Sequence, residues 1–259
     1  MSSESNLVFR NTAAKAGRHT AISPANSAMQ HMVYSRILLK DGSKRVTIPA
    51  SGRETGMIVL SGSATLRANG QTHQLSRLDG AYVPRDCATE IDTSSSADIA
   101  EFSAEVDAKH PLQIVRYADV KNDSTLYFKT GVAAAQREVS VVIGKNVEAG
   151  RLLIGFTISD GGNWTSWPPH EHAEMLEEVY VFFDMPPPAY GVQFVYNDTN
   201  YPEFITAVRD GDAVIIPRGY HPNVAVPGHP ICFLWALAAH RENEDRKYGV
   251  VNVQPEFRS

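Results

Sequence analysis

A chain of 259 residues, 43% hydrophobic and carrying a net charge of -5, can bury a sizeable core as one large β domain or two small ones. The mild charge and the lack of a basic stripe speak against a nucleic-acid partner, and no apolar run resembles a signal peptide or is long enough to span a bilayer. Cys87 and Cys232 sit in strand-like segments and read as buried thiols of a reducing compartment, so a cytoplasmic location is expected.

In chain order, residues 1–25 are polar and small and read as a loose N-terminal arm. Residues 26–104 form a first β unit, in which "MIVLSG", "SATLRANGQTHQL" and "GAYVP" follow closely. Asn69-Gly70 is a hairpin signal, because a type I′ turn needs positive φ at both central residues. Residues 105–147 read as a connecting segment with one strand in "AQREVSVVIG". Residues 148–259 form a second β unit with "RLLIGFTIS", "EEVYVFF", "YGVQFVY", "EFITAV", "DAVIIP" and "ICFLWALAA". No amphipathic helix of useful length is evident, and evenly spaced short strands predict an all-β sandwich or barrel fold.

A weak internal repeat links the units. "LDGAYVPRDCATEI" resembles "GDAVIIPRGYHPNV". With Pro84 laid on Pro217, Asp79 falls on Asp212, Arg85 on Arg218, and His221 on Ala88. The second half carries the histidine and the first does not.

The chemistry gathers in "WPPHEHAEMLEEVYVFF", Trp167 to Phe183. Residues two apart in a strand share a face, so His170 and His172 look the same way. Glu178 shares a face with Tyr180 and Phe182, while Glu177 joins Val179 and Val181 on the other. A carboxylate on a core face is costly unless something pairs with it, and a metal ion would. His221, after the Pro217–Gly219 turn, supplies a distant fourth candidate. Imidazole and carboxylate donors suit zinc, manganese or iron. Strand alternation favours Glu178 over Glu177, and Glu174 stays open as an alternative. The other histidines, such as His73, have no comparable company.

These segments resemble the two halves of a cupin signature: His-x-His with a following Glu in Gly162 to Phe183, then Gly-x5-Pro-x-Gly-x-His in Gly211 to Asn223. "NWTSWPPHEH", "LEEVYVFF", "GVQFVY" and "IPRGYHPNVAVPGH", in that order, are similar to the 5-deoxy-glucuronate isomerases and the related 5-keto-4-deoxyuronate isomerases. "SGSATLRANGQTHQLSRLDGAYVPRD" resembles the N-terminal barrel of the same family.

The resemblance implies a bicupin, two jelly-roll-type β-barrels in one chain, of which only the C-terminal one holds a divalent metal. The ligands carry over as His170, His172, Glu178 and His221. It implies conversion of an aldehyde uronic acid into a ketone, 5-deoxy-glucuronate into 5-dehydro-2-deoxy-gluconate, in inositol catabolism. Proton shuttling then falls to Glu174, Tyr180 or a metal-bound water. The substrate carboxylate asks for an arginine, with Arg137, Arg218 and Arg241 as candidates. Rival readings are an iron-dependent cupin dioxygenase and a non-catalytic sugar-binding cupin. Exposed edge strands suggest a homodimer.

Overall fold

The computed structural model describes residues 7–40 and 42–258. Among these residues strands dominate, with one short helix, Tyr117–Asn122, and a 3-10 turn, Pro255–Phe257. No helix among the described residues is long and apolar enough to cross a membrane.

The strands form two units. In the first, the long strand Arg53–Ala68 is the spine. Its first half pairs with Gly80–Val83 and Ala97–Glu105. A register shift between Val59 and Ser61 then lets its second half pair with Gln71–Ser76 and Thr89–Asp92. Asn69 and Gly70 turn that hairpin with φ of 48° and 72°, as the sequence predicts. The second unit has a seven-stranded sheet ordered Val8–Phe9, Ala213–Ile216, Leu176–Phe182, Ile231–Ala239, Leu152–Ser159, Arg137–Ile143, Tyr127–Thr130. A four-stranded sheet ordered Trp164–Thr165, Asn223–Ala225, Gly191–Val195, Phe204–Val208 completes it. The all-β expectation holds, but hydrogen bonding does not close the sheets into continuous barrels.

Strand pairing crosses the boundaries drawn from sequence. The described part of the N-terminal arm is not loose: Val8–Phe9 is an edge strand on Ala213–Ile216, and Gly17–Ile22 pairs with Val33–Leu39. Polar side chains suit such an edge, where the backbone supplies the bonding and one face meets water. The segment 105–147 is more than a connection. Its Gln113–Val115 joins the first unit, while Tyr127–Thr130 and Arg137–Ile143 belong to the seven-stranded sheet of the second.

The repeat is a duplicated tertiary motif. Asp79 accepts from the backbone N–H of Ser76 (3.0 Å) and Tyr117 (2.9 Å) and from Arg116 Nη1 (2.8 Å). Asp212 accepts from the backbone N–H of Arg209 (3.1 Å) and Asn11 (3.0 Å) and from Arg10 Nη1 (2.8 Å). Each unit thus takes an edge strand from the segment preceding the other. A second pair of acids repeats the exchange. Buried Glu54 accepts the backbone N–H groups of Gly150, Arg151 and Leu152. Buried Glu177 accepts those of Gln30, His31 and Met32.

The units pack through one apolar cluster in which Ile58 and Phe102 of the first meet Ile154, Phe156 and Val179 of the second. Two glycines permit the approach. A Cβ on Gly56 would lie 2.3 Å from Ile154 Cδ1, and one on Gly80 would lie 2.5 Å from Val142 Cγ1. The first unit keeps an apolar cluster of its own, including Met57, Val59, Leu66, Ile91 and Ile99.

Candidate metal centre

Strand Leu176–Phe182 lies between Ala213–Ile216 and Ile231–Ala239. Its register sets Glu178 opposite Leu237 and Ile216, and Tyr180 opposite Trp235 and Val214. Alternation sends Glu178 and Tyr180 into a cavity of about 360 Å³, while Glu177 points the other way, to the first unit. Gly155 stands opposite Trp235, and the indole lies over it. A glycine there makes room for the ring, which forms part of the cavity wall.

His172, Glu178 and His221 converge, each offering a ligand atom within 4.8 Å of the others. His172 Nε2 is 3.1 Å from Glu178 Oε2, and His221 Nε2 is 3.2 Å from the same oxygen. His170 lies beside this trio and outside that mutual distance, its ring centroid 4.9 Å from that of His221. All three imidazoles have Nδ1 against a backbone carbonyl: His170 on Pro168 (2.9 Å), His172 on Leu176 (3.0 Å), His221 on Gly219 (2.8 Å). An Nδ1–H donated to a carbonyl leaves Nε2 as the free lone pair, the tautomer a metal ligand needs. The Nε2 of His221 is buried and makes no hydrogen bond, its 3.2 Å approach to Glu178 notwithstanding, and a metal ion would satisfy it.

The turn before His221 is shaped by Gly219 at φ 98°, where a Cβ would lie 2.7 Å from the Tyr196 carbonyl. Behind it lies a buried polar network. Gln193 Nε2 donates to the carbonyl of His221 (3.0 Å), and Asn223 Nδ2 donates to Gln193 Oε1 (3.0 Å). Thr165 completes it with a hydrogen bond to Asn223. Sequence reading missed Gln193; its only signal was a lone amide in an otherwise apolar strand.

Burial alone would raise the Glu178 carboxyl, but the imidazoles of His172 and His221 outweigh it and hold it down at about 2. Burial pulls His172 down and Glu178 more than offsets it, so His172 is raised. Desolvation, with His221 beside it, lowers His170 to about 3. These shifts carry a sign for stability. Between the usual 6.5 and about 3, the unfolded chain holds a proton on His170 that the folded protein refuses, so stability falls as pH is lowered through that window. The raised His172 acts oppositely: its contribution is complete below 6.5 and is lost as pH rises through its folded value. Urea unfolding of chelator-treated protein from pH 7 toward pH 5 should therefore show a decline that is shallower in His170→Ala. Parallel declines would contradict this assignment.

The other candidates separate cleanly. Arg137 lines the cavity, the only arginine or lysine among its described lining residues. Its Nη1 and Nη2 donate to the carbonyls of Ala135 (2.9 Å) and Trp167 (2.8 Å), and it makes no ion pair among the described residues. Tyr180 also lines the cavity, its hydroxyl 2.6 Å from that of Ser166. Burial and the nearby Glu178 push its phenol well above the ordinary range, so it stays neutral. Glu174 is exposed on the turn after His172 and does not reach the cavity. That turn spends its residues bringing His172 back to Leu176 and leaves Glu174 in solvent. Arg218 is exposed outside the cavity, and Arg241 is bound to Asp245 and Glu244 on the surface. Nearness in sequence to the His221 turn or to the last long strand did not bring either inward. The outer wall is made by Tyr248, Val250, Val251 and Val253, a C-terminal strap that no sequence pattern announced.

This arrangement can be set against known proteins. The structure of an IolB-like protein from Salmonella typhimurium LT2 superposes with a TM-score of 0.86 at 23% identity, covering 98% of both chains. A Bacillus subtilis oxalate decarboxylase studied for its Mn(II) centres gives 0.67 at 10% identity, covering 98% of this chain and 80% of that one. A cupin 2 conserved barrel domain protein from Leptotrichia buccalis gives 0.52 at 12% identity, covering 85% and 88%. The fold is accordingly a bicupin. Among curated relatives, a 5-deoxy-glucuronate isomerase of Geobacillus thermodenitrificans is 24% identical over 241 residues, 86% of this chain and 85% of that protein. One of Geobacillus kaustophilus is 28% identical over 164 residues, 61% of this chain and 58% of that protein. The profile of the KduI/IolB family matches residues 7–254, nearly the whole sequence, and the chain belongs to that family.

Proposed function

We propose that the chain is a metal-dependent aldose–ketose isomerase that converts 5-deoxy-glucuronate to 5-dehydro-2-deoxy-gluconate in inositol catabolism. One observation carries the reading: the cavity lined by His170, His172 and Glu178, the last 3.2 Å from His221 Nε2, is also lined by an arginine that has no carboxylate partner among the described residues. The relatives named 5-deoxy-glucuronate isomerase support the reaction type. At the positions matching Glu178 and His221 the first unit carries Thr55 and Ala88, which supports one ion, in the second unit only.

His170, His172, Glu178 and His221 would hold a divalent ion, manganese, zinc or iron, and it would supply Lewis acidity toward the carbonyl and its neighbouring hydroxyl. Arg137 receives the substrate carboxylate. Its guanidinium is partly desolvated and tied to two carbonyls, so its orientation is set before substrate arrives. The Tyr180 and Ser166 hydroxyls stand where a proton can be held or passed while it moves between adjacent carbons through an enediol. Trp235, Phe233 and Val139 give that region apolar walls.

Turnover in heavy water tests the reading. Deuterium should enter the carbon that receives the proton, to the extent that the shuttled proton exchanges with solvent. No oxygen should be consumed and no nicotinamide required. Full turnover by chelator-treated protein, or oxygen uptake matched to product, would remove the proposal in favour of a metal-independent or a dioxygenase reaction.

A further inference from the structure

His170 differs from the other three residues of the cluster in what holds it. Glu178 sits in the middle of the seven-stranded sheet, paired on both sides. His172 is fixed by its turn onto Leu176, and His221 by the Gly219 carbonyl and the Gln193 network. His170 lies on a two-residue strand, His170–Glu171, whose one ladder partner is Asn252–Val253 in the C-terminal strap. A ladder that short is not stable by itself. Leading into it, Val250 and Val251 are exposed.

The strap is fastened just beyond the ladder. Gln254 donates its backbone N–H to the Pro169 carbonyl (2.9 Å). Its side-chain oxygen accepts from the Tyr196 hydroxyl (2.7 Å), with both side chains buried. Tyr196 in turn forms a β-bridge with Tyr220, the residue before His221. One side-chain hydrogen bond therefore ties the strand under His170 to the frame that carries His221. Phe257 adds a ring contact with Trp167, centroids 5.0 Å apart.

We propose that Tyr196 and Gln254 are positioning residues for His170, and that their hydrogen bond sets the fourth ligand against the other three. The proposal rests on the metal reading above and assigns a role within that site. Neither residue lines the cavity, so neither touches substrate. Outer-shell partners of metal ligands are worth about 10- to 100-fold in affinity. The lower end applies here, because the bond acts through the strap and not on the ring.

The test measures zinc affinity by competition with a chromophoric chelator, together with the visible spectrum of the cobalt-substituted protein. Tyr196→Phe removes the donor and keeps the ring; Gln254→Met removes the acceptor at similar volume. Each should weaken zinc binding about 10-fold, and the double variant no further, since both delete one bond. Each should shift the cobalt spectrum toward that of His170→Ala. In a His170→Ala background, Tyr196→Phe should have no added effect. Equal weakening in that background would mean general loosening, and unchanged affinity in both single variants would mean no positioning role; either overturns the proposal. Undiminished zinc binding by His221→Ala would instead overturn the metal reading itself.

Discussion

Glu178→Gln is expected to leave the protein folded while stripping it of metal and of turnover. The carboxylate is buried, and among the described residues the charged or basic groups beside it are two imidazoles, His172 at 3.1 Å and His221 at 3.2 Å, both on one oxygen. An amide keeps the shape and one acceptor oxygen but loses the only negative charge of the cluster. Three neutral imidazoles would then face a divalent cation alone. The loss in affinity should exceed the roughly 10- to 100-fold typical of outer-shell changes, because a charged ligand is removed outright. The metal-free variant has its own signature. Glu178 is what raises His172, so with the charge gone desolvation should carry His172 below its usual value. Metal content by mass spectrometry and an NMR titration of the His172 ring read the two effects separately. Full metal content in Glu178→Gln, with His172 still raised, would sink the assignment.

Much of this site was legible because its signals are local. A period of two puts Glu178 and Tyr180 on one face of an apolar strand, and the register observed has them there. His-x-His and the Pro-Arg-Gly turn announce backbone geometry as much as chemistry, and the Gly219 turn behaves accordingly. What failed was inference from nearness along the chain. Arg218 adjoins the His221 turn yet points to solvent, whereas Arg137, far off in sequence, reaches the cavity through the sheet register that sets it opposite Thr130. Polar composition made the N-terminal residues read as loose, although the short apolar run Leu7, Val8 and Phe9 within them packs on the core as well as pairing at the sheet edge. The strap was illegible for a similar reason: two-residue pairing between His170–Glu171 and Asn252–Val253 leaves no periodic trace.

The neighbouring acid shows how far a correct face assignment falls short of a correct consequence. Glu177 does face away from His172, Glu178 and His221, as alternation requires, and from that alone Glu177→Gln would be a mild change. It is instead a clamp between the units. Its two oxygens take three backbone N–H bonds at 2.6, 2.8 and 2.7 Å from Gln30, His31 and Met32, some 146 residues earlier in the chain. A glutamine there can keep its oxygen on the N–H groups of His31 and Met32, but it turns an NH2 toward the N–H of Gln30, leaving two donors, that N–H and the amide's own, facing each other without an acceptor. Unsatisfied buried groups cost about 1–3 kcal/mol each, so the expected loss is on the order of 2–5 kcal/mol. That is a large share of the 5–15 kcal/mol typical of a folded domain. Glu54, holding Gly150, Arg151 and Leu152 from the other side, should respond alike, and the double substitution should open the contact between the units. The measurement is denaturant unfolding alongside zinc stoichiometry. Glu177→Gln should unfold at clearly lower urea yet bind one zinc per chain when folded, the inverse of Glu178→Gln. Lost zinc with unchanged stability would mean that the two acids had been assigned to the wrong faces.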